Sequence, residues 1–204
     1  MFVRPYFIGI SLPPGGISIV TTRRDYEPAS PRAKVVLRVL AVQRFPAENS
    51  KTLETLLAQI SALQPTDRER AIVGIDATDP IKGTPFYREF RRVFGMTGWF
   101  LKASFFELEP GNGPLTRKAQ DARLAVGSVR VLTELADLLA TERLRVPALD
   151  LADELKGQIR GFTAARKGTE NDPGDLAVAL ALACYMSHIS PAYATGGLVT
   201  VNYS

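Results

Sequence analysis

The sequence predicts an α/β fold: a mixed five-stranded central sheet, three antiparallel strands and then two parallel ones, flanked by helices on both faces. Three observations carry this expectation. Three strand-like runs open the chain, strand-like and helix-like segments alternate after them, and a strongly apolar helix comes late. No internal repeat or low-complexity linker interrupts the 204 residues, so one domain over residues 1–204 is expected.

Residues 6–12 and 17–22 are apolar runs joined by PPGG, a strong turn signal, and read as a hairpin. Residues 34–45 (KVVLRVLAVQRF) form a third strand rich in Val and Leu. In NSKTLETLLAQISALQ, Ser50 is a helix cap and Leu53, Leu56, Leu57, Ile60 and Leu63 recur at helical spacing. Residues 71–76 (AIVGID) make a buried fourth strand that ends on a carboxylate. Residues 84–94 start a helix with a Thr cap and a Pro in the first turn, and residues 98–106 give a fifth strand. After the loop EPGNGPLT comes a long helix, residues 118–140, with Leu124, Val131, Leu135, Leu138 and Leu139 on its apolar face. Residues 144–146 are a short extended piece, residues 150–160 start helical and become extended, and residues 161–172 form a basic, polar loop or small hairpin. Asp175 then opens the apolar helix DLAVALALACYMSH.

Composition excludes several classes. At 46% hydrophobic and 23% charged residues the chain is globular, and no apolar run approaches the roughly 20 residues of a membrane-spanning helix. The N-terminus lacks a signal-peptide layout and the lone Cys184 reads as a buried apolar residue, so a cytoplasmic setting is expected. A single histidine, His188, argues against a His-based catalytic centre, and no GxxxxGK[ST] stretch cradles phosphates. The net charge of +4 favours a polyanionic partner.

Two acids hold the positions where chemistry collects. Ligands of open α/β sheets bind beyond the carboxyl ends of strands, where Asp76 falls, and Asp175 opens a helix that packs on the sheet. Each also has an ordinary structural explanation, Asp175 as a helix cap and Asp76 as a turn residue. Together at one rim they would repel unless a cation compensates, and hard ions such as Mg2+ or Mn2+ choose carboxylate oxygens. Asp79 and Asp172 are candidates for a third oxygen ligand, ahead of Glu107. Arg91 and Arg92 in REFRRVF, and Arg166 and Lys167 in the loop before Asp175, are candidates for phosphate contacts, although a basic face is commonly just solvated.

The element order, with VGIDATDPIKG (73–83) at the end of the fourth strand and PGDLAVALALACY (173–185) in the late helix, resembles the ribonuclease H-like fold. Within it the chain is most similar to the nuclease domain of phage large terminases, whose corresponding motifs read hhhDaTGxG and DDLxxAhAhA. LTELADLLATERLRVP (132–147) looks like that family's helix and short strand, and LADELKGQIRGF (151–162) resembles its strand-forming segment before the last helix. The resemblance implies Asp76 and Asp175 as metal ligands, Mg2+ or Mn2+ as the cofactor and double-stranded DNA as the substrate. It also implies a host-cell cytoplasmic setting and a separate packaging ATPase or portal-type partner.

The chain departs from that pattern at its first catalytic position. The family's first strand reads hhGhDxxxGG, and FIGISLPPGG (7–16) places Ser11 where the acid stands. The tandem acids of the last helix are reduced to Gly174–Asp175, with Asp172 displaced upstream. Two functions therefore follow from the sequence. One is a divalent-metal-dependent DNA endonuclease of viral DNA packaging or processing. The other is a catalytically degenerate module that binds DNA or a packaging partner without cutting.

Overall fold

A computed structural model describes residues 6–14, 16–28, 34–46, 71–79, 83, 85–86, 88–90, 92, 101–118, 123–165 and 174–190. Its strands are β1 (Tyr6–Ser11), β2 (Gly16–Glu27), β3 (Lys34–Pro46), β4 (Ala71–Asp76), β5 (Leu101–Glu109), β6 (Thr116–Arg117), β7 (Leu124–Gly127) and β8 (Leu144–Arg145). Its helices are α1 (Ser128–Ala140), α2 (Ala152–Ala165) and α3 (Asp175–Ile189), and residues 83–92 include further helical positions. The strands form one sheet in the order β6-β7-β5-β4-β1-β2-β3-β8. β1, β2 and β3 run antiparallel, while β4 lies parallel to β1 and β5 parallel to β4. The five expected strands are thus contiguous and carry the expected directions.

Both faces of the sheet are covered. On one, Phe7, Val20, Ile72 and Phe106 pack under α1, α2 and α3. On the other, Ile8, Ile10, Val73 and Ile75 meet Phe86 and Phe90 of the 83–92 segment. α3 is buried along Leu176–Met186 save Val178, as an all-apolar helix must be. It lies unusually close to the sheet. A Cβ on Gly9 would sit 1.7 Å from the Ala179 carbonyl oxygen and 2.8 Å from the Ala183 nitrogen, so only glycine admits the helix backbone there. Gly74 makes the same allowance for Met186, whose Cγ would lie 2.8 Å from an added Cβ.

Three expectations need correction. The sheet has eight strands among the described residues, because β6, β7 and β8 extend both edges. The helix expected over 118–140 begins only at Ser128, and Leu124 lies in β7. Lys118 and Arg123 both reach Glu107 on β5, at 2.6 and 3.8 Å, and these ion pairs accompany an extended β6–β7 pairing where helical spacing had been read. Residues 150–160 do not become extended, nor does 151–162 form a strand; α2 is helical throughout, takes residues 161–165 from the expected loop or hairpin, and buries Ala152, Leu155 and Ile159. Their i, i+3, i+7 spacing is helical, and Asp153 and Glu154 favour the positive end of the helix dipole. The helix expected to begin near Ser50 lies outside the described residues. No helix among the described residues is long and apolar enough to cross a membrane.

The close approach at Gly9 yields a paired stability prediction. Gly9→Ala pushes the α3 backbone off the sheet and should cost at least about 3 kcal/mol. Gly157→Ala, in α2 with open space around the added methyl, should instead gain about 0.5–1 kcal/mol. Urea denaturation of both variants checks the opposite signs.

Candidate functional site

The site is built from one row of residues crossing four strands. β1 ends at Ser11 because PPGG turns the chain into β2. Ser11 is in register with Ser18 of β2, and Ser18 with Arg44 of β3. On the other side, Asp76 stands one residue beyond the registered pair Ile10–Ile75. Alternation along the strands places the row on the α3 face, since Gly9 and Gly74, two residues before Ser11 and Asp76, lie under α3. Arg44 reaches this face through a β-bulge. Thr21 pairs with Ala41 but Thr22 with Val39, so Leu40 is an extra residue, and Val42 and Arg44 join Leu37 and Val39 on one side.

Asp175, in the first turn of α3, comes down onto this row. Its carboxylate accepts the Ser18 hydroxyl on Oδ2 and a forked pair from Arg44, Nε to Oδ2 at 3.0 Å and Nη2 to Oδ1 at 2.9 Å. Gln158 Nε2 donates to Oδ1 at 3.1 Å. A carboxylate offers about four lone-pair directions, and these four donors take them. Gln158 Oε1 in turn accepts the backbone N–H of Leu176 and Ala177 at 2.9 and 3.0 Å, so a side chain of α2 caps α3. Gly174 has φ +78°, and a Cβ there would meet Gln158 at 2.6 Å. The space that a side chain at position 174 would take is therefore occupied by Gln158. Arg44 Nη2 also holds Glu154 Oε1 at 2.7 Å.

Asp76 has a different environment. Oδ1 accepts the backbone N–H of Thr78 at 3.0 Å and its hydroxyl at 2.5 Å, while Thr78 Oγ1 accepts the Leu108 N–H at 2.9 Å. Among the described residues no donor is bonded to Oδ2, and no arginine or lysine pairs with the group. Burial pushes the Asp76 carboxyl above the ordinary carboxylate range, against the Thr78 bonds, and the charge of Asp79 adds to the rise. Asp175 goes the other way. Burial would raise it, but the bonds from Ser18, Gln158 and Arg44, with the Arg44 charge, bring it below the usual value.

Asp76, Ser11 and Asp175 thus share one rim and one face. Asp76 and Ser18 are two strands apart, roughly 10 Å of backbone, with neutral Ser11 between them. Asp79 is exposed and acts on Asp76 through its charge. Arg92 is exposed and its Nε binds Glu89 at 2.8 Å. Asp172, Arg166, Lys167 and Arg91 lie outside the described residues. Asp25 and Glu27 are far along β2, bound to Arg38 and Arg145. Glu107 is tied to Lys118 and Arg123.

Among the described residues no group of three or more His, Cys, Asp or Glu could hold a metal ion. Among the described residues the donor set does not suit the Mg2+ or Mn2+ pair that the resemblance implies. Such a pair needs several free carboxylate oxygens, whereas Asp175 is saturated and already neutralised by Arg44. Sequence reasoning missed Arg44, Ser18, Gln158 and Glu154. The Glu154–Gln158 spacing of four was the available signal, hidden by reading that segment as partly extended.

The two acids should respond oppositely to neutralisation. Asp76→Asn keeps the acceptor for both Thr78 donors and removes a buried charge, so it should raise stability at neutral pH. The gain should vanish as pH falls through the raised carboxyl pKa towards the unfolded value. Asp175→Asn strips Arg44 of its charge partner and should cost about 1–3 kcal/mol at neutral pH. That cost is fully present above the unfolded carboxylate pKa and shrinks as pH falls through the lowered native one. Chemical denaturation of both variants between pH 3 and 7 checks the two signs.

No protein-family model matches the sequence, and no curated protein matches it. Among solved structures, the chain is similar to the human cytomegalovirus terminase nuclease domain, with a TM-score of 0.55 and 10% identity over 91% of this chain and 84% of that one. A manganese-soaked, inhibitor-bound form of that domain gives a TM-score of 0.54 and 11% identity, covering 91% of this chain and 83% of that one. Thermus thermophilus RuvC is a looser likeness, with a TM-score of 0.40 and 16% identity over 88% and 90% of the two chains. At these identities the likeness is one of fold: the chain has the ribonuclease H-like fold, in the form seen in a terminase nuclease domain.

Proposed function

We propose that this chain is a terminase-nuclease-like module that binds double-stranded DNA and does not cut it by two-metal chemistry. The observation that carries this reading is the saturation of Asp175, all of whose lone-pair directions are filled by Ser18, Arg44 and Gln158. Ser11 in the adjacent strand supports it, since a hydroxyl cannot supply the negative charge that would hold a divalent pair beside Asp76. The binding half of the reading rests on two things. The fold is shared with a nuclease domain, and the net charge of +4 favours a polyanion. Arg166 and Lys167, shortly before α3 in sequence, are the side chains proposed to meet phosphates, with Arg91 and Arg92 as further candidates.

The alternative, a metal-dependent endonuclease, keeps one observation in its favour. Asp76 sits at the carboxyl end of a central strand with a raised pKa and one uncommitted oxygen among the described contacts. A plasmid assay separates the two. Wild-type protein should leave supercoiled plasmid intact with either Mg2+ or Mn2+. It should also retain a labelled duplex whose affinity falls roughly 40- to 500-fold between 50 and 200 mM salt, as about three to five phosphate contacts require. Nicking that needs metal and disappears in Asp76→Asn would overturn the proposal.

A further inference from the structure

We propose that Arg44 is a built-in counter-cation, whose guanidinium takes the electrostatic place of a divalent ion between Asp175 and Glu154 and thereby ties α2 and α3 to the sheet. The inference rests on the reading of a site that does not use two-metal chemistry, and it deepens that reading by naming what replaces the metal.

Two acids from different helices converge on this one side chain. Nη2 lies 2.7 Å from Glu154 Oε1 and 2.9 Å from Asp175 Oδ1, and Nε lies 3.0 Å from Asp175 Oδ2. Carboxylates drawn together like this repel unless a positive charge stands between them. Gln158 bridges the same pair more weakly, 3.1 Å to Asp175 and 3.4 Å to Glu154, and cannot supply charge.

An ordinary surface ion pair is a poor account of this arrangement. Surface pairs join mobile, solvated side chains and contribute little. Here the Arg44 and Glu154 side chains are 37% and 42% exposed, but Asp175 is only 15% exposed, its contact with Arg44 is forked, and three elements meet at it. The forked geometry is one that a planar guanidinium provides and an ammonium does not. The bulge at Leu40 and the absence of a side chain on Gly174 both leave room for this set of contacts. A divalent ion at this place would bind the same oxygens, so the two cations are mutually exclusive.

Thermal melting of the full chain, with Mn2+ as the probe, tests the assignment. Wild type should shift by less than about 1 °C with millimolar Mn2+ or with EDTA, because binding to the native state alone is what raises a melting point. Arg44→Gln should melt about 3–10 °C lower, and Mn2+ should restore at least half of the loss. Arg44→Gln combined with Asp175→Asn should show no such recovery. Arg44→Lys, which keeps the charge without the fork, should melt between wild type and Arg44→Gln and respond to Mn2+ less than the latter. If Arg44→Gln does not fold without metal, folding on addition of Mn2+ in the far-ultraviolet circular dichroism supports the proposal, and failure to fold overturns it.

An Arg44→Gln protein that melts like wild type, or that ignores Mn2+, overturns the role of Arg44. Equal Mn2+ stabilisation of wild type and variant does the same. Plasmid nicking by wild type would instead sink the non-cutting reading, and the melting comparison would still decide the part played by Arg44.

Discussion

The height of α3 above the sheet is the constraint on which the rest of the structure depends. Gly9 lets the Ala179 carbonyl lie where a methyl group would otherwise stand, so the helix backbone rests almost directly on β1. Helix and sheet this close fix the helix in both height and position along the strand. The first turn of α3 then falls within reach of Ser18 and Arg44, and the site is assembled as a by-product of packing. The same closeness accounts for alanine at positions 179 and 183, whose backbones lie against Gly9 and whose side chains are buried. Bulkier residues would lift it away.

The rim of the sheet holds two carboxylates in opposite electrical circumstances. Asp175 is charged, compensated and fully bonded. Asp76 is desolvated, bonded among the described residues on one oxygen only, and repelled by Asp79. Pairs of acids pushed apart in this way are common in working hydrolytic centres, where one group accepts a proton and another stays ionised. Neutral Ser11 stands on the strand between them. Within this fold the charge of Asp175 is balanced by the guanidinium of Arg44.

Much of the fold was legible in the sequence. The hairpin around PPGG, the β4 strand with its terminal acid and the apolar α3 all follow from short-range patterns that the structure reproduces. β7 and α2 were not legible. In β7 the run LAVG has too few residues to show a period, and its extended form depends on pairing with β5. In α2, Gly157 and Gly161 argue against a helix locally, while the burial of Leu155 and Ile159 against the core overrides that preference. At the rim of the sheet the two acids were legible and the groups around them were not. Asp76 and Asp175 stand out because carboxylates at element ends are conspicuous, whereas Arg44 looks like any polar residue near the end of a long strand.

The extra residue at Leu40 has a consequence for how this protein tolerates change. From Leu37 a strict two-residue alternation would send Arg44 to the far side of the sheet, and the irregularity at Leu40 reverses that outcome. The charge balance of the rim therefore hinges on strand length, not on composition. Loss of a single codon between Val39 and Val42 would keep every functional group in the protein and still detach the arginine from its acids. Relatives of this chain are thus better compared by the spacing of β3 than by its residue identities.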